Sequence, residues 1–139
     1  MSLITNEDIQ LINDAKKTIK ELYKEGKHHV GAAIRTRTGK IYSAVHLEAY
    51  IGRVSVCAEA VVLGKAISEG ECDFDTIVAV RHPDLCEEAQ EIEVVSPCGM
   101  CRELISDYGP EINVILKKDN QYIKVKVSEL LPEKYTRGE

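Results

Sequence analysis

The chain of 139 residues has no tryptophan and one phenylalanine, so any core it builds is aliphatic, with six tyrosines as the remaining aromatics. No segment approaches the ~20 consecutive apolar residues that a membrane-crossing helix needs. The opening MSLITNEDIQ carries acidic residues and no apolar run, so no export signal is expected and the cytoplasm is the expected compartment. Basic residues are also in deficit: 18 Lys and Arg against 23 Asp and Glu give a formal net charge of -5. A long phosphate backbone selects a basic groove, so a polynucleotide partner is not expected and a small-molecule substrate fits better. The five cysteines are an odd number, and two of them form a Cys-x-x-Cys. Without an export signal, that pattern favours metal binding or catalysis over a disulfide framework. What the chain does have is an apolar fraction of 44%. That is enough for one compact domain over residues 1–139.

Hydrophobic periodicity then places the elements. Thr5 caps a first helix with Asp8 three positions on, Ile9, Ile12, Ile19, Leu22 and Tyr23 recur at helical spacing, and Gly26 closes it. Val30 to Ile34 and Ile41 to Val45 read as a hairpin about the turn Arg37-Thr38-Gly39-Lys40. Cys57 to Glu69 reads as a helix, apolar nearly all round and therefore central, ending at Gly70. Thr76 to Val80 is a core strand, and the polar stretch from Arg81 to Glu93 is a surface loop. A third helix starts near Cys98 after Pro97 and stops at Gly109-Pro110. Strands over Ile112 to Leu116 and Tyr122 to Val127 flank a turn, and Ser128 caps a short last helix through Leu131. The order α-β-β-α-β-α-β-β-α predicts an α/β fold with a mixed sheet covered on both faces.

Two segments carry chemistry: Cys57-Ala58-Glu59 and Pro97-Cys98-Gly99-Met100-Cys101. Each sits at a predicted helix start, where thiolates are favoured by the helix dipole. Three cysteine ligands leave the fourth tetrahedral position of a zinc ion open to water, as in catalytic rather than structural sites. Glu59, two residues beyond Cys57, is placed to shuttle protons beside that water without ligating. A (His or Cys)-x-Glu paired with a distant Pro-Cys-x-x-Cys is the pattern of zinc deaminases. Two other readings stand beside it. A structural zinc knuckle would take a fourth ligand from Cys72, Cys86 or His82. A redox Cys-x-x-Cys would need neither Cys57 nor Glu59.

With these motifs, the chain resembles the small zinc-dependent cytidine deaminase family, and within it the branch that includes blasticidin S deaminase. The residues that carry the resemblance are Val30-Gly31-Ala32-Ala33, CAEAVVLGKAISEG from Cys57 to Gly70, SPCGMCRE from Ser96 to Glu103, and Glu129-Leu130-Leu131-Pro132. The resemblance implies a three-layer α/β/α sandwich with a mixed five-stranded sheet, and one zinc ion per chain. It also implies a homotetramer whose neighbours help close each site, and hydrolysis of a cytosine nucleoside to the uracil nucleoside and ammonia. The expected substrate is cytidine or deoxycytidine, with blasticidin S or a related modified nucleoside as the alternative and a non-catalytic zinc-binding protein of the same fold as a further one.

Its substrate residues carry over in part. The family's sugar-binding Asn-x-Glu reads His46-Leu47-Glu48 here, and the place of the base-stacking Phe falls on His28. Ala58 is expected at the substrate, Tyr135 matches a substrate-touching tyrosine of the blasticidin branch, and Arg137 stands where a second aromatic is expected. His28, His46 and Arg137 together lead to the expectation of a pocket that tolerates an anionic extension of the sugar. Zinc with three thiolates is a net anion, and the arginines that offset this in the two branches are replaced by Ala60 and Met100. Arg102 or Arg53 is expected to supply the missing positive charge by hydrogen bonding to a thiolate.

Overall fold

The computed structural model describes residues 2–138. Helix α1 runs over Asn6–Leu22, and its start is built as the sequence predicts: the Thr5 hydroxyl accepts from the Asp8 N–H, and the Asp8 carboxylate accepts from the Thr5 N–H. Strands β1 (Val30–Thr36) and β2 (Ile41–Val45) form the antiparallel hairpin, with Gly39 at φ 99° in its turn. Helix α2 spans Ala58–Ser68 and α3 spans Gly99–Tyr108. Strand β3 (Phe74–Arg81) pairs antiparallel with β1 and parallel with β5 (Asn113–Lys118). Strand β6 (Gln121–Lys126) returns antiparallel to β5 through Asp119 and Asn120, both at positive φ, as a tight two-residue hairpin requires.

Two predicted details change. The sheet has six strands rather than five, because Glu93–Val95 forms a short β4 antiparallel to the carboxyl end of β3. A three-residue strand is too short to show periodicity, and its pairing is supplied by β3. The last helix is a single 3-10 turn over Val127–Leu130. The loop before β4 is ordered by its own contacts: Arg81 pairs with Glu87, Glu87 accepts the Asp84 N–H, and Gln90 donates to the carbonyls of Asp84 and Glu87.

Period-two alternation divides the core between the faces of the sheet. Ala32, Ile34, Ile77, Ala79 and Val114 point to the face covered by α2 and α3, where Val62, Leu63, Ala66 and Ile105 are buried. Ala33, Val78, Val80 and Ile115 point to the other face, under Leu11, Ile12, Ala15 and Ile19 of α1. The sandwich is thus three-layered, and nearly all the buried bulk is aliphatic. Helix α1 lies so close to β1 that a Cβ on Gly31 would meet the Ala15 carbonyl oxygen and the Ile19 Cβ, each at 2.9 Å. Beneath α1 the buried Asp8 also accepts from Arg35 of β1 at 2.8 Å and Lys124 of β6 at 2.9 Å. Burial alone would raise its pKa; the Lys124, Thr5 and Arg35 hydrogen bonds outweigh that and bring it down to about 2. The capping acid therefore ties α1 to strands on both sides of the sheet.

Candidate active site

The first helical residues of α2 and α3 converge beside the carboxyl end of β3. Cys57 is the N-cap of α2 and Cys98 the N-cap of α3, both in extended backbone, and Cys101 lies one turn into α3. Their three Sγ atoms lie within 4.8 Å of one another, and those of Cys57 and Cys98 are 3.6 Å apart. A zinc ion with ~2.3 Å bonds to sulfur has tetrahedral edges of roughly 3.8 Å, so the donor set fits that ion. The other candidates for a fourth ligand are elsewhere. Cys72 and Cys86 are exposed outside the cluster, and His82 stacks on Tyr23 at 3.9 Å with its Nδ1 2.7 Å from the Pro83 carbonyl oxygen. Among the described residues the sulfur cluster has three members, which argues against the knuckle.

The protonation of these thiols follows from their surroundings. Burial, reinforced by the Glu59 carboxylate, pushes Cys101 far above the ordinary thiol range. Burial also raises Cys57, with the Cys98 sulfur adding to it. Cys98 is exposed; desolvation by the surrounding protein raises its pKa, but the Cys101 and Met100 N–H groups and the neighbouring sulfurs bring it below the ordinary value. Three thiols this close ionise together only around a cation.

Glu59 follows in the first turn of α2, 6% exposed. Burial raises its pKa, and the only opposing contact is its own N–H. It lines a cavity of about 170 Å³ with Val30, His46, Cys57, Ala58, Val95, Ser96 and Cys98. The cavity therefore holds two of the three cysteines, the carboxylate and two of the expected substrate residues. Ser96 is an addition that its position just before Pro97-Cys98 signals. No residue between β3 and β4 lines the cavity, whose wall takes Val95 from the end of β4, so the long loop does not overhang it.

Five expected positions fall elsewhere. His28 does not line the cavity; its Nδ1 is 2.9 Å from the His46 carbonyl oxygen. The neighbouring His29 does not line the cavity either; its ring is 4.1 Å from that of His46, and both are grouped with Glu48. Tyr135 and Arg137 line a separate groove along α3 with Glu103 and Asp107, because Lys134 fastens the tail to Ser106 and Asp107. Arg102 does not reach a thiolate: its Nε donates to the Pro97 carbonyl at 2.9 Å and its Nη1 to the Leu130 carbonyl at 3.3 Å. Arg53 lies on the exposed turn Gly52–Val54 and makes no hydrogen bond to a sulfur among the described residues. The N–H groups at the start of α3 take the place assigned to these arginines.

This fold and site are those of a deaminase: the chain belongs to the cytidine and deoxycytidylate deaminase family, whose zinc-binding region matches residues 5–117. It is 58% identical over 135 residues to the blasticidin-S deaminase of Bacillus cereus, covering 97% of this chain and 96% of that one. It is 30% identical to the cytidine deaminase of Sporosarcina psychrophila over 92% of this chain and 90% of that protein. Among solved structures, the cytidine deaminase of Bacillus anthracis superposes with a TM-score of 0.77 at 24% identity, over 94% of this chain and 90% of that one. The enzyme from Burkholderia pseudomallei gives 0.72, also at 24% identity, over 95% and 100%. These two likenesses establish the fold.

Proposed function

We propose that the chain, as one catalytic domain over residues 1–139, is a hydrolytic deaminase of cytosine nucleosides that prefers a blasticidin S-type nucleoside to cytidine. The observation that carries the reaction is the cluster of three cysteine sulfurs within 4.8 Å at two helix starts, with buried Glu59 in the same cavity. Cys57, Cys98 and Cys101 hold one zinc ion. Bound there, zinc supplies Lewis acidity, which makes water a nucleophile at neutral pH and stabilises charge on oxygen.

The chain's own residues do the rest. Glu59 takes a proton from the attacking water and gives it to the ring nitrogen beside the amino-bearing carbon as the carbon–oxygen bond forms. It then carries the remaining hydroxyl proton to the amino group, the carbon–nitrogen bond breaks, and ammonia leaves a carbonyl behind. The raised pKa of the buried carboxylate suits both transfers. Ala58 and Val30 wall the ring's position in the cavity. A protein that merely bound metal would have no use for an unpaired carboxylate buried beside it.

The substrate preference is supported by the 58% identity to a blasticidin-S deaminase, against 30% to a cytidine deaminase over a similar span. The retained Glu48 is the feature that favours an ordinary nucleoside. Tyr135 and Arg137, turned away from their own cavity, act on substrate in a neighbouring copy, which is the purpose a homotetramer serves. The test is ammonia release from blasticidin S, cytidine, deoxycytidine, a cytosine nucleotide and free cytosine. The expected kcat/KM is at least ~10-fold higher for blasticidin S than for cytidine, a difference of the size that a few pocket contacts supply. Cytidine turned over at ~10⁵ M⁻¹s⁻¹ or better with blasticidin S untouched would make it an ordinary cytidine deaminase. No ammonia from any of them would end the deaminase reading.

A further inference from the structure

Both ring nitrogens of His46 are engaged inside the protein. Nδ1 lies 3.2 Å from the His29 N–H and 3.2 Å from the Val30 N–H. These donate, so Nδ1 is an acceptor and the ring proton sits on Nε2. Nε2 is 3.1 Å from Glu48 Oε1 and donates to it. The His46 main chain is fixed as well: its N–H donates to the Val30 carbonyl, and its own carbonyl accepts from His28 Nδ1. His46 is 7% exposed and forms part of the cavity wall, yet no nitrogen of its ring is left for a substrate.

Glu48 differs in each respect. Its side chain is 41% exposed, its N–H donates to the Lys27 carbonyl, and one carboxylate oxygen is held by His46 while the other has no hydrogen-bond partner among the described residues. The remaining imidazole nearby does not neutralise it. His29 Nε2 is 3.8 Å from Oε1, beyond a hydrogen bond, and burial together with the adjacent His46 holds the His29 pKa below the ordinary value. A carboxylate in this state only accepts hydrogen bonds, and it presents negative charge.

We propose that His46 is a positioning residue that fixes Glu48 beside the cavity as an acceptor for hydroxyl or ammonium groups on the sugar portion of the substrate. This rests on the nucleoside deaminase reading above. It departs from the expectation drawn from the basic residue types: His28 and His46 are turned to protein partners and Arg137 lies on another groove, so none of the three meets a carboxylate in its own chain's cavity.

Two measurements on the zinc-loaded protein test it. Imidazole ¹⁵N spectra without nucleoside are expected to show His46 protonated on Nε2 only, with that resonance moving in Glu48→Ala. A proton on Nδ1, or an Nε2 signal indifferent to Glu48, would overturn the pairing. Steady-state kinetics then compare cytidine with 2′,3′-dideoxycytidine, which lacks the two hydroxyl donors. His46→Ala is expected to raise KM on the order of tenfold more for cytidine than for the dideoxy compound, as loss of a well-placed acceptor for a hydroxyl does. The double variant His46→Ala/Glu48→Ala should lose little beyond Glu48→Ala alone. His46→Asn, whose amide offers both an acceptor and a donor, should restore most of the discrimination. Equal KM increases for both nucleosides, or additive effects of the two substitutions, would reduce His46 to a structural residue. If the unaltered protein turns over neither of these nor blasticidin S, the nucleoside reading fails, while the spectra decide the His46–Glu48 pairing in either case.

Discussion

Glu59→Gln is expected to lower kcat by on the order of 10³-fold while the protein keeps its zinc and its fold. Glutamine keeps the shape of the side chain and loses the ability to accept and return a proton, so both transfers stop together. The carboxylate is 6% exposed, and burial raises its pKa without a cationic partner to reverse it. In the metal-free chain, removing that unfavourable charge relieves the fold at neutral pH. The sign follows from linkage: an acid whose pKa is raised on folding costs stability once the pH exceeds its unfolded value. The metal-free variant should therefore melt no lower than its metal-free parent, and metal analysis should find its zinc content unchanged. A variant retaining near-full turnover would remove Glu59 from the chemistry. One that lost metal as well would make it a ligand.

Cys101→Ser is expected to reduce bound zinc to a small fraction of a mole per chain and to cut kcat/KM by at least ~10³-fold, since a site of two thiolates no longer holds the ion or its water. Cys57→Ser and Cys98→Ser should behave alike in zinc content. The effect on stability should be largest at Cys101, which is 2% exposed and packs in the same cluster as Val62, Ile105 and Val114. Cys72→Ser and Cys86→Ser, at exposed positions outside the cluster, provide the controls and should leave zinc and turnover as they were. Inductively coupled plasma measurement of zinc against protein, alongside thermal melts, reads all five. Full zinc occupancy in Cys101→Ser would mean that the ion is held elsewhere.

The parts of this molecule that local rules determine were legible from residue order. Thr5 with Asp8 marked the start of α1, short apolar runs marked β1, β3 and β5, and Gly70 and Gly109 marked helix ends. The clustering of the three cysteines was legible too, because Cys57, Cys98 and Cys101 each lie within a turn of a helix start, and two helix starts brought together bring their sulfurs together. Long side chains were not legible. Arg102 holds the predicted place beside Cys101, but its reach let it choose the Pro97 and Leu130 carbonyls, and nothing in residue order ranks these against a sulfur. The place of His28 was not legible because the chain turns at Gly26, φ 76°, and joins β1 only at Val30, so strand alternation does not yet apply to it. The roles of Tyr135 and Arg137 depend on a groove along α3 created by the Lys134 contacts, which are tertiary. Asp8 was visible as a cap; its bonds to Arg35 and Lys124 span 27 and 116 residues and leave no local trace.

The central claim is that three cysteines hold a metal with one position left for chemistry. X-ray absorption at the zinc edge of the purified, substrate-free protein tests it most directly. The account predicts three sulfur neighbours at ~2.3 Å and one oxygen or nitrogen neighbour at ~2.0–2.1 Å. Four sulfur neighbours would make the site a closed structural centre and contradict the account.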